Sequence, residues 1–318
     1  VRNTATRSHC THPKKKRKML SSHSKSDIKV STLSCAYALA VSTGIWAARK
    51  FVRQISGRVE TYWVESQYNA IHNILTYYEL EDLGFTDAMN LGYDEAFNTD
   101  STPSAIEIPS DTSFGTRLQF QLYRRVLRNV LSDGPVASKV LEVSCGRGGG
   151  TEFVANISKK HTVTGLDLSH DGITYCQQRY SQKNLTFEQG DAQALNYADR
   201  SFDVVLNVES SHCYPDYIAF FSQVARVLKP GGYFCFCDIT VKEAVPFFTG
   251  VLDKLGVELV EQEDITEAVV SALRSQGEKR EIALSKLPFF VRPLVVSGAN
   301  YVCVYVCLRV CLRMCVCV

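Results

Sequence analysis

A glycine-rich turn and two separated aspartates have the residue types and the spacing to hold a nucleoside. Residues 140–150 read Val-Leu-Glu-Val-Ser-Cys-Gly-Arg-Gly-Gly-Gly, an apolar run followed by a turn with four glycines in five positions. Glycine allows backbone angles that a Cβ forbids and lets a ligand approach the main chain. Asp167 lies 21 residues after Gly146 and can accept hydrogen bonds from both hydroxyls of a ribose. Asp191, or the amide that follows it, can meet an adenine edge.

Apolar runs alternate with helical patterns from residue 139 onward, and both aspartates follow predicted strands. This alternation predicts a Rossmann-like, doubly wound, mostly parallel sheet with helices on both faces. Ligands of such sheets bind outside the carboxyl ends of the strands, so we expect the acids to face one site. The predicted strands cover 140–143, 162–166, 185–188, 202–207, 233–237 and 256–260, and helices are predicted from 151 and over 114–131, 170–182, 216–228 and 241–255.

The acid inside the glycine motif separates two ligands that the pattern would otherwise fit equally. A dinucleotide site uses G-x-G-x-x-G and turns a helix N-terminus toward a pyrophosphate. Here the order is Glu142-x-Ser144-x-Gly146-x-Gly148. S-adenosylmethionine has no phosphate and carries an ammonium and a sulfonium, so a carboxylate near the turn favours it.

Five blocks between residues 139 and 238 resemble class I S-adenosylmethionine-dependent methyltransferases of the type-11 group. Two further segments, 89–93 and 207–214, are similar to the phthiotriol/phenolphthiotriol dimycocerosate methyltransferase-like branch. The chain departs from the common pattern at Ser144, which is often glycine in the wider superfamily. The five blocks are the segments 140–149, 165–169 (Gly-Leu-Asp-Leu-Ser), 190–194 (Gly-Asp-Ala-Gln-Ala), 201–205 (Ser-Phe-Asp-Val-Val) and 227–232 (Val-Leu-Lys-Pro-Gly-Gly).

The resemblance implies a role for each matching residue. The glycine turn would hold the methionine part of the donor, Asp167 the ribose, and Asp191 with Ala192 the adenine. The cofactor-binding set is Glu142, Ser144, Gly146, Gly148, Asp167, Leu168, Asp191, Ala192 and Asn207.

Three residues after the fourth strand are the candidates for catalysis, namely Glu209, His212 and Tyr214. His212 is the best candidate for a general base because the ordinary pKa of histidine is close to neutrality. The alternative is a histidine that caps the next helix or packs beneath a lid, since not every such enzyme uses a base.

The N-terminal part of the chain predicts segments of different character. Residues 1–29 read as a disordered basic tail, whose Lys-Lys-Lys-Arg-Lys run at 14–18 resembles a nuclear import signal. Residues 30–50 include an uncharged window at 30–48 that predicts a membrane anchor or an interfacial helix, with a signal peptide or a packed helix as alternatives. Residues 51–135 predict a helical cap or lid and a loop, with aromatic residues at helical spacing that could cap a site.

The methyltransferase domain is predicted over 136–300, followed by an atypical Val/Cys tail at 301–318. The tail alternates as a strand would. A dinucleotide repeat in the gene would also encode Val-Cys alternation, and we expect that the tail is not a selected part of the fold. The 12 cysteines include no C-x-x-C pair and no metal-ligand spacing, so we expect mostly reduced thiols, an intracellular protein and no metal.

The sequence thus predicts an enzyme that moves a methyl group from S-adenosylmethionine to a small-molecule or lipid acceptor, at a hydroxyl oxygen. The alternatives are a nucleic-acid or protein methyltransferase, or a donor-binding protein with impaired turnover. A net charge of +2 gives no strong field toward a polyanion, which argues against nucleic acid. We expect a location in the cytoplasm or at a membrane such as the endoplasmic reticulum, with the nucleus as the alternative.

Overall fold

The computed structural model describes the predicted methyltransferase domain and parts of the cap. The described residues are 64–66, 68–70, 72–73, 88–97, 106–131, 138–240, 244–277, 285 and, as backbone, 306–314. The predictions of a disordered tail at 1–29 and of an anchor at 30–50 lie outside these residues. Within them, no helix is both long and apolar enough to cross a bilayer.

A seven-stranded sheet forms the centre of the described residues, in the order β3-β2-β1-β4-β5-β7-β6. The first five strands are parallel, whereas β7 is antiparallel to both β5 and β6. This confirms the predicted Rossmann-like, mostly parallel sheet. The strands are β1 Lys139–Val143, β2 Thr162–Asp167, β3 Leu185–Gln189, β4 Phe202–Val208, β5 Leu228–Thr240, β6 Val257–Asp264 and β7 Val306–Met314.

Six α-helices accompany the sheet within the described residues. Three of them begin at side-chain caps. The Ser113 hydroxyl accepts from the Thr116 N–H, the Ser169 hydroxyl accepts from the Gly172 N–H, and Asp216 accepts from the N–H groups of Ile218 and Ala219. The helices are α1 Phe114–Leu127, α2 Gly149–Ile157, α3 His170–Arg179, α4 Tyr217–Val227, α5 Val245–Lys254 and α6 Thr266–Ser275, with short 3₁₀ turns at Glu95–Phe97 and Ser211–Cys213.

Strand β1 shows how the sheet divides the interior into two cores. Successive side chains of a strand point to opposite faces. Val140 therefore joins the core that includes residues of α1, α2, α3 and α6, while Leu141 and Val143 join the core that includes residues of α4 and α5. All three side chains are fully buried, and each contributes about 1.5–3 kcal/mol through removal of apolar surface from water. Glu142 is buried on the same face as Val140.

The junction between α4 and β5 differs from the prediction. Helix α4 ends at Val227, and β5 begins directly at Leu228 rather than at Tyr233. The Lys-Pro-Gly-Gly segment follows the end of the helix, as predicted. It lies within β5, whose pairing with β4 shifts register between Phe202 and Val204. A Cβ on Gly232 would lie 2.9 Å from the carbonyl oxygen of Asp203, so glycine is needed at this close approach.

Residues 306–314 of the Val/Cys tail form a strand of the sheet, as their alternation allowed, whereas the expectation that the tail is not a selected part of the fold stays a prediction. Strand β7 pairs with β5 from Tyr233 to Thr240 and with β6 from Val257 to Asp264. The strand itself has only two β-branched residues, Val306 and Val310, so its formation depends mainly on the gap between β5 and β6, which offers hydrogen-bonding partners on both sides.

Residues 88–97 form a cap segment that makes hydrogen bonds with residues far from it in the sequence. The Tyr93 N–H donates to the Leu118 carbonyl in α1, and the Asp94 N–H donates to the Ala268 carbonyl in α6. The Ser271 hydroxyl also donates to the Asp94 carboxylate at 2.7 Å. Helical residues at 64–66, 68–70 and 72–73 complete the described part of the predicted cap.

Candidate active site

An open cavity of about 900 Å³, including its mouth, lies at the carboxyl ends of β1, β2 and β4. The location is the one that open parallel sheets use for ligands. Six of the nine predicted cofactor-binding residues line it, as do Glu209 and Tyr214, whereas Glu142, Gly148, Asn207 and His212 do not. The lining residues are Val64, Tyr68, Met89, Tyr123, Ser144, Cys145, Gly146, Asp167, Leu168, Asp191, Ala192, Gln193, Val208, Glu209, Ser210, Cys213, Tyr214 and Pro215.

The glycine turn after β1 bends through left-handed backbone angles. Ser144 has φ 60°, Gly146 has φ 57° and Gly148 has φ 81°. Glycine adopts these angles freely, but a residue with a Cβ is strained there by roughly 1–2 kcal/mol. Gly148 also serves packing, because a Cβ there would lie 2.8 Å from the ring of Phe187. The turn therefore keeps its main chain close to the cavity, and Ser144 is its one strained position.

Asp167 is the acid that faces the cavity from the end of β2. One carboxylate oxygen accepts from the Gly146 N–H at 2.8 Å, and the other accepts from the Ser169 N–H at 2.8 Å. Burial raises the pKa of this carboxyl to about 6, against the opposing effect of the backbone donors. Each oxygen keeps a second lone pair, so Asp167 can accept further hydrogen bonds from the cavity side.

Glu142 lies behind the turn rather than in the cavity wall. Its two oxygens accept from the Tyr123 hydroxyl at 2.5 Å and from the Thr151 hydroxyl at 2.6 Å. Burial raises the pKa of Glu142 to about 7, although both hydroxyl donors oppose this rise. The contact of Glu142 with the methionine part of a donor remains a prediction. In the structure, its two hydrogen bonds connect β1 to α1 and to α2.

The loop after β3 brings Asp191 and Ala192 to the cavity beside Leu168. The Asp191 carboxylate accepts from the Gln193 N–H at 2.8 Å and from the Gln193 side-chain amide at 3.2 Å. These hydrogen bonds fix the loop so that one wall of the cavity pairs an acid with an apolar surface. That wall could accept a flat heterocycle with an exocyclic amine.

The loop after β4 joins the glycine turn through the Tyr214 hydroxyl. This hydroxyl is 2.6 Å from Ser144 Oγ, 3.2 Å from Ser210 Oγ and 2.9 Å from the side-chain amide of Asn207. The Asn207 amide also donates to the Val143 carbonyl at 3.0 Å. Asn207 thus lies beneath the cavity as a bridge between β4 and β1.

Glu209 connects the β4 loop to the cap. Its backbone lies in the left-handed region at φ 50°, and its N–H donates to the Cys237 carbonyl at 2.7 Å. Its carboxylate accepts from the Leu91 N–H at 2.7 Å. The cap segment is therefore held against the cavity by a residue that also lines it.

His212, the predicted general base, pairs with Asp238 at the end of β5. The Nδ1 atom lies 2.6 Å from one carboxylate oxygen of Asp238. Burial would lower the pKa of the imidazole, but the charge of Asp238 outweighs it and holds that pKa well above its ordinary value. The side chain of His212 is 39% exposed, and it is not among the residues that line the cavity. Its predicted role as a general base remains a prediction.

Sequence reasoning did not single out Tyr68 and Cys213 as site residues. The Tyr68 hydroxyl lies 3.2 Å from Cys213 Sγ, and both residues line the cavity. Burial would raise the pKa of the Cys213 thiol, but the neighbouring His212 lowers it overall. Tyr68 belongs to the aromatic stripe that the spacing predicts as a cap, whereas nothing in the sequence distinguishes Cys213 from the other cysteines.

The residues present fit S-adenosylmethionine. One wall of the cavity is formed by the main chain of the turn and by Asp167. The next wall is formed by Asp191, Ala192 and Leu168. A Cβ at Gly146 would lie 3.3 Å from the Met89 sulfur, so glycine allows the cap residue Met89 to pack closely on the turn. A nucleoside with a cationic tail can therefore contact carboxylates and apolar surface in one cavity.

The comparisons with known proteins agree with this geometry. A family model described as a methyltransferase domain matches residues 141–236. The chain is 37% identical over 199 residues to the fatty-acid O-methyltransferase of Mycolicibacterium smegmatis, which covers 63% of this chain and 69% of that protein. It is 39% identical over 187 residues to the probable phthiotriol/phenolphthiotriol dimycocerosates methyltransferase 2 of Mycobacterium ulcerans, which covers 58% of this chain and 70% of that protein.

Solved structures share the fold at low sequence identity. The [4+2]-cyclase SpnF has a TM-score of 0.62 at 19% identity and covers 80% of this chain and 97% of its own. A geranyl diphosphate methyltransferase in complex with GPP and sinefungin has a TM-score of 0.55 at 13% identity and covers 80% of this chain and 99% of its own. The fold match, the family model and the identity to both mycobacterial relatives agree. This chain belongs to the class I methyltransferase family of which those two relatives are members.

Proposed function

We propose that this protein is an S-adenosylmethionine-dependent methyltransferase whose acceptor is a lipid or a lipid-like small molecule, methylated at oxygen. One observation carries the proposal. A single cavity joins the Asp167 and glycine-turn wall to a second wall formed by Tyr68, Cys213 and Tyr214. The first wall has the acceptors for a nucleoside, and the second provides space for another reactant beside it.

The chain's own residues would hold the donor without large rearrangement. Asp167 would accept from the ribose hydroxyls through its remaining lone pairs, and Asp191 with Ala192 would border the adenine. The turn from Ser144 to Gly146 would lie along the methionine part. When bound, S-adenosylmethionine supplies an electrophilic methyl group on its sulfonium. The protein's contribution is then mainly alignment, which can supply much of the rate of an in-line displacement.

Apolar surface supports a lipid-like acceptor. Val64, Met89, Val208 and Pro215 line the cavity beside the polar groups. Both relatives compared above have lipid-related names, one a fatty-acid O-methyltransferase and the other a phthiotriol/phenolphthiotriol dimycocerosates methyltransferase. These names motivate a lipid acceptor here, and they do not favour the nucleic-acid alternative.

The His212–Asp238 pair bears on which oxygen is methylated. A hydroxyl must lose a proton as it is methylated, whereas a carboxylate has already lost it near neutral pH. His212 is not among the residues that line the cavity, so the cavity suits a carboxylate acceptor, which needs no base. A hydroxyl acceptor would need a base in the cavity wall. Three carboxylates line the cavity, and Glu209 is the one that the proposed donor roles of Asp167 and Asp191 leave for this task.

Transfer of a labelled methyl group tests the proposal. The protein would be incubated with methyl-labelled S-adenosylmethionine and a total cell extract, followed by extraction into an organic phase. We expect label in the lipid fraction. Mild alkali should then release it as methanol if the product is a methyl ester, and leave it in place if the product is an ether. Label confined to protein or nucleic acid would refute the lipid acceptor. Binding of S-adenosylhomocysteine without any transfer would identify a donor-binding protein.

A further inference from the structure

The Tyr214 hydroxyl occupies the junction between the donor turn and the loop after β4. It contacts Ser144 Oγ at 2.6 Å, the Asn207 amide at 2.9 Å and Ser210 Oγ at 3.2 Å. Its ring is fixed from the other side by an edge contact with Phe220, at 4.8 Å between ring centroids. Tyr214 therefore anchors the turn to the core beneath α4.

The Tyr214 hydroxyl has no capacity left for acid–base chemistry. A phenol offers one hydrogen and two lone pairs, and its hydrogen bonds with Ser144, Asn207 and Ser210 use all of them. Only 9% of the residue is exposed. Burial also raises the pKa of this hydroxyl well above its ordinary value, although its partners oppose that rise. The role predicted from the sequence, that of a catalytic residue, does not suit this arrangement.

We propose that Tyr214 is a positioning residue, which holds Ser144 in its left-handed conformation and thereby fixes the donor turn. Ser144 has φ 60°, an angle that a residue with a Cβ adopts only under constraint. Its side chain contacts the Tyr214 hydroxyl, so one hydrogen bond opposes relaxation of the backbone. Glycine at this position would need no such constraint. Serine at 144 and tyrosine at 214 thus form a matched pair in this chain.

The pair also links the two halves of the cavity. Ser144 belongs to the wall that would hold the donor, whereas Ser210 and Tyr214 belong to the loop that borders the acceptor space. A shift of that loop would move the Tyr214 hydroxyl and release Ser144. The acceptor side of the site thus controls the shape of the donor side. This inference rests on the proposed function, because it assumes that the donor lies along the turn.

Isothermal titration with S-adenosylhomocysteine tests the inference on four variants of the full chain. Tyr214→Phe removes the hydroxyl and keeps the ring, and we expect the Kd to rise about tenfold, as removal of one buried hydrogen bond would give. Ser144→Ala keeps the strain without the tether, so a similar rise is expected. Ser144→Gly removes the tether and the strain together, so its Kd should lie below that of Ser144→Ala by about threefold or more.

Rescue separates positioning from a general structural role. We expect the double variant Tyr214→Phe with Ser144→Gly to bind within about threefold of Ser144→Gly alone, because glycine no longer needs the tyrosine. If Tyr214 only supported the β4 loop through Asn207, the weaker binding would persist with glycine at 144. That persistence would overturn the proposal, as would unchanged binding by Tyr214→Phe.

Two controls keep the outcomes distinct. Tyr197→Phe removes a hydroxyl that donates to Glu188 at 2.8 Å and is absent from the cavity wall, so its Kd should not change. Failure of the wild type to bind S-adenosylhomocysteine would count against the proposed function itself. If Tyr214→Phe does not fold, the Kd values of Ser144→Ala and Ser144→Gly can still be compared. Equal Kd values for those two variants would refute the role of strain.

Discussion

Replacement of Asp167 by asparagine is expected to weaken donor binding more than any other single isosteric change in the cavity wall. Both carboxylate oxygens already accept backbone N–H groups, from Gly146 and Ser169, at 2.8 Å each. An asparagine side chain has one oxygen and one NH₂ group. Its NH₂ group would have to face one of these N–H donors, so only one of the two hydrogen bonds could still form.

The size of the effect on Kd follows from one hydrogen bond to a charged group, the proposed bond from a ribose hydroxyl. The backbone hydrogen bond that asparagine cannot accept is present in the free protein too, so its loss lowers the free energy of unfolding instead. A hydrogen bond to a charged group is worth about 1.5–3 kcal/mol, which corresponds to a rise in Kd of roughly 10- to 150-fold.

Calorimetric titration with S-adenosylhomocysteine at pH 7.5 measures this change. Asp199→Asn is the matched control, because the Asp199 side chain is 72% exposed and pairs with Arg226 far from the turn. We expect that control to bind within about twofold of the wild type, since exposed ion pairs contribute little. An Asp167→Asn variant that keeps its melting temperature and binds within threefold of the wild type would refute the reasoning.

Three further predictions follow from the same structure. Donor affinity should fall about tenfold between pH 7 and pH 5 in calorimetric titrations, because the Asp167 pKa is about 6 and the protonated carboxyl is a poorer acceptor. The same raised pKa means that protonation of Asp167 stabilises the folded state as the pH falls from about 6 toward 4. A drop in melting temperature over this range would therefore point to another cause of the weaker binding. Gly150→Ala should destabilise the fold by about 1–3 kcal/mol in urea titrations, since its Cβ would lie 1.9 Å from Tyr123, whereas Gly250→Ala meets nothing within 4 Å and should be neutral or stabilising. Truncation after residue 300 removes β7, the partner of both β5 and β6, and should lower the melting temperature markedly or prevent folding; an unchanged melting curve would show that the tail is dispensable.

The parallel sheet could be predicted because its signals are local. Apolar runs with a period of two, glycine breakers and capping residues such as Ser169 and Asp216 all lie within a few positions of the elements they define. The strand bounds differed most at β5, where an irregular register absorbs Pro230 and its neighbouring glycines. The composition of the tail allowed either a strand or a repeat in the gene, and the pairing of residues 306–314 with β5 and β6 could be seen only in the structure.

The residues alone were enough to predict the parallel sheet and six of the residues that line the cavity, because the ends of parallel strands converge on one edge of the sheet. The tertiary structure decided the rest. Glu142 lies behind the turn because α1 brings Tyr123 to it from 19 residues away. The pKa of His212 is raised because β5 places Asp238 beside it, 26 residues further along the chain. Such pairings depend on which elements pack together, and residue spacing along the chain does not specify that packing.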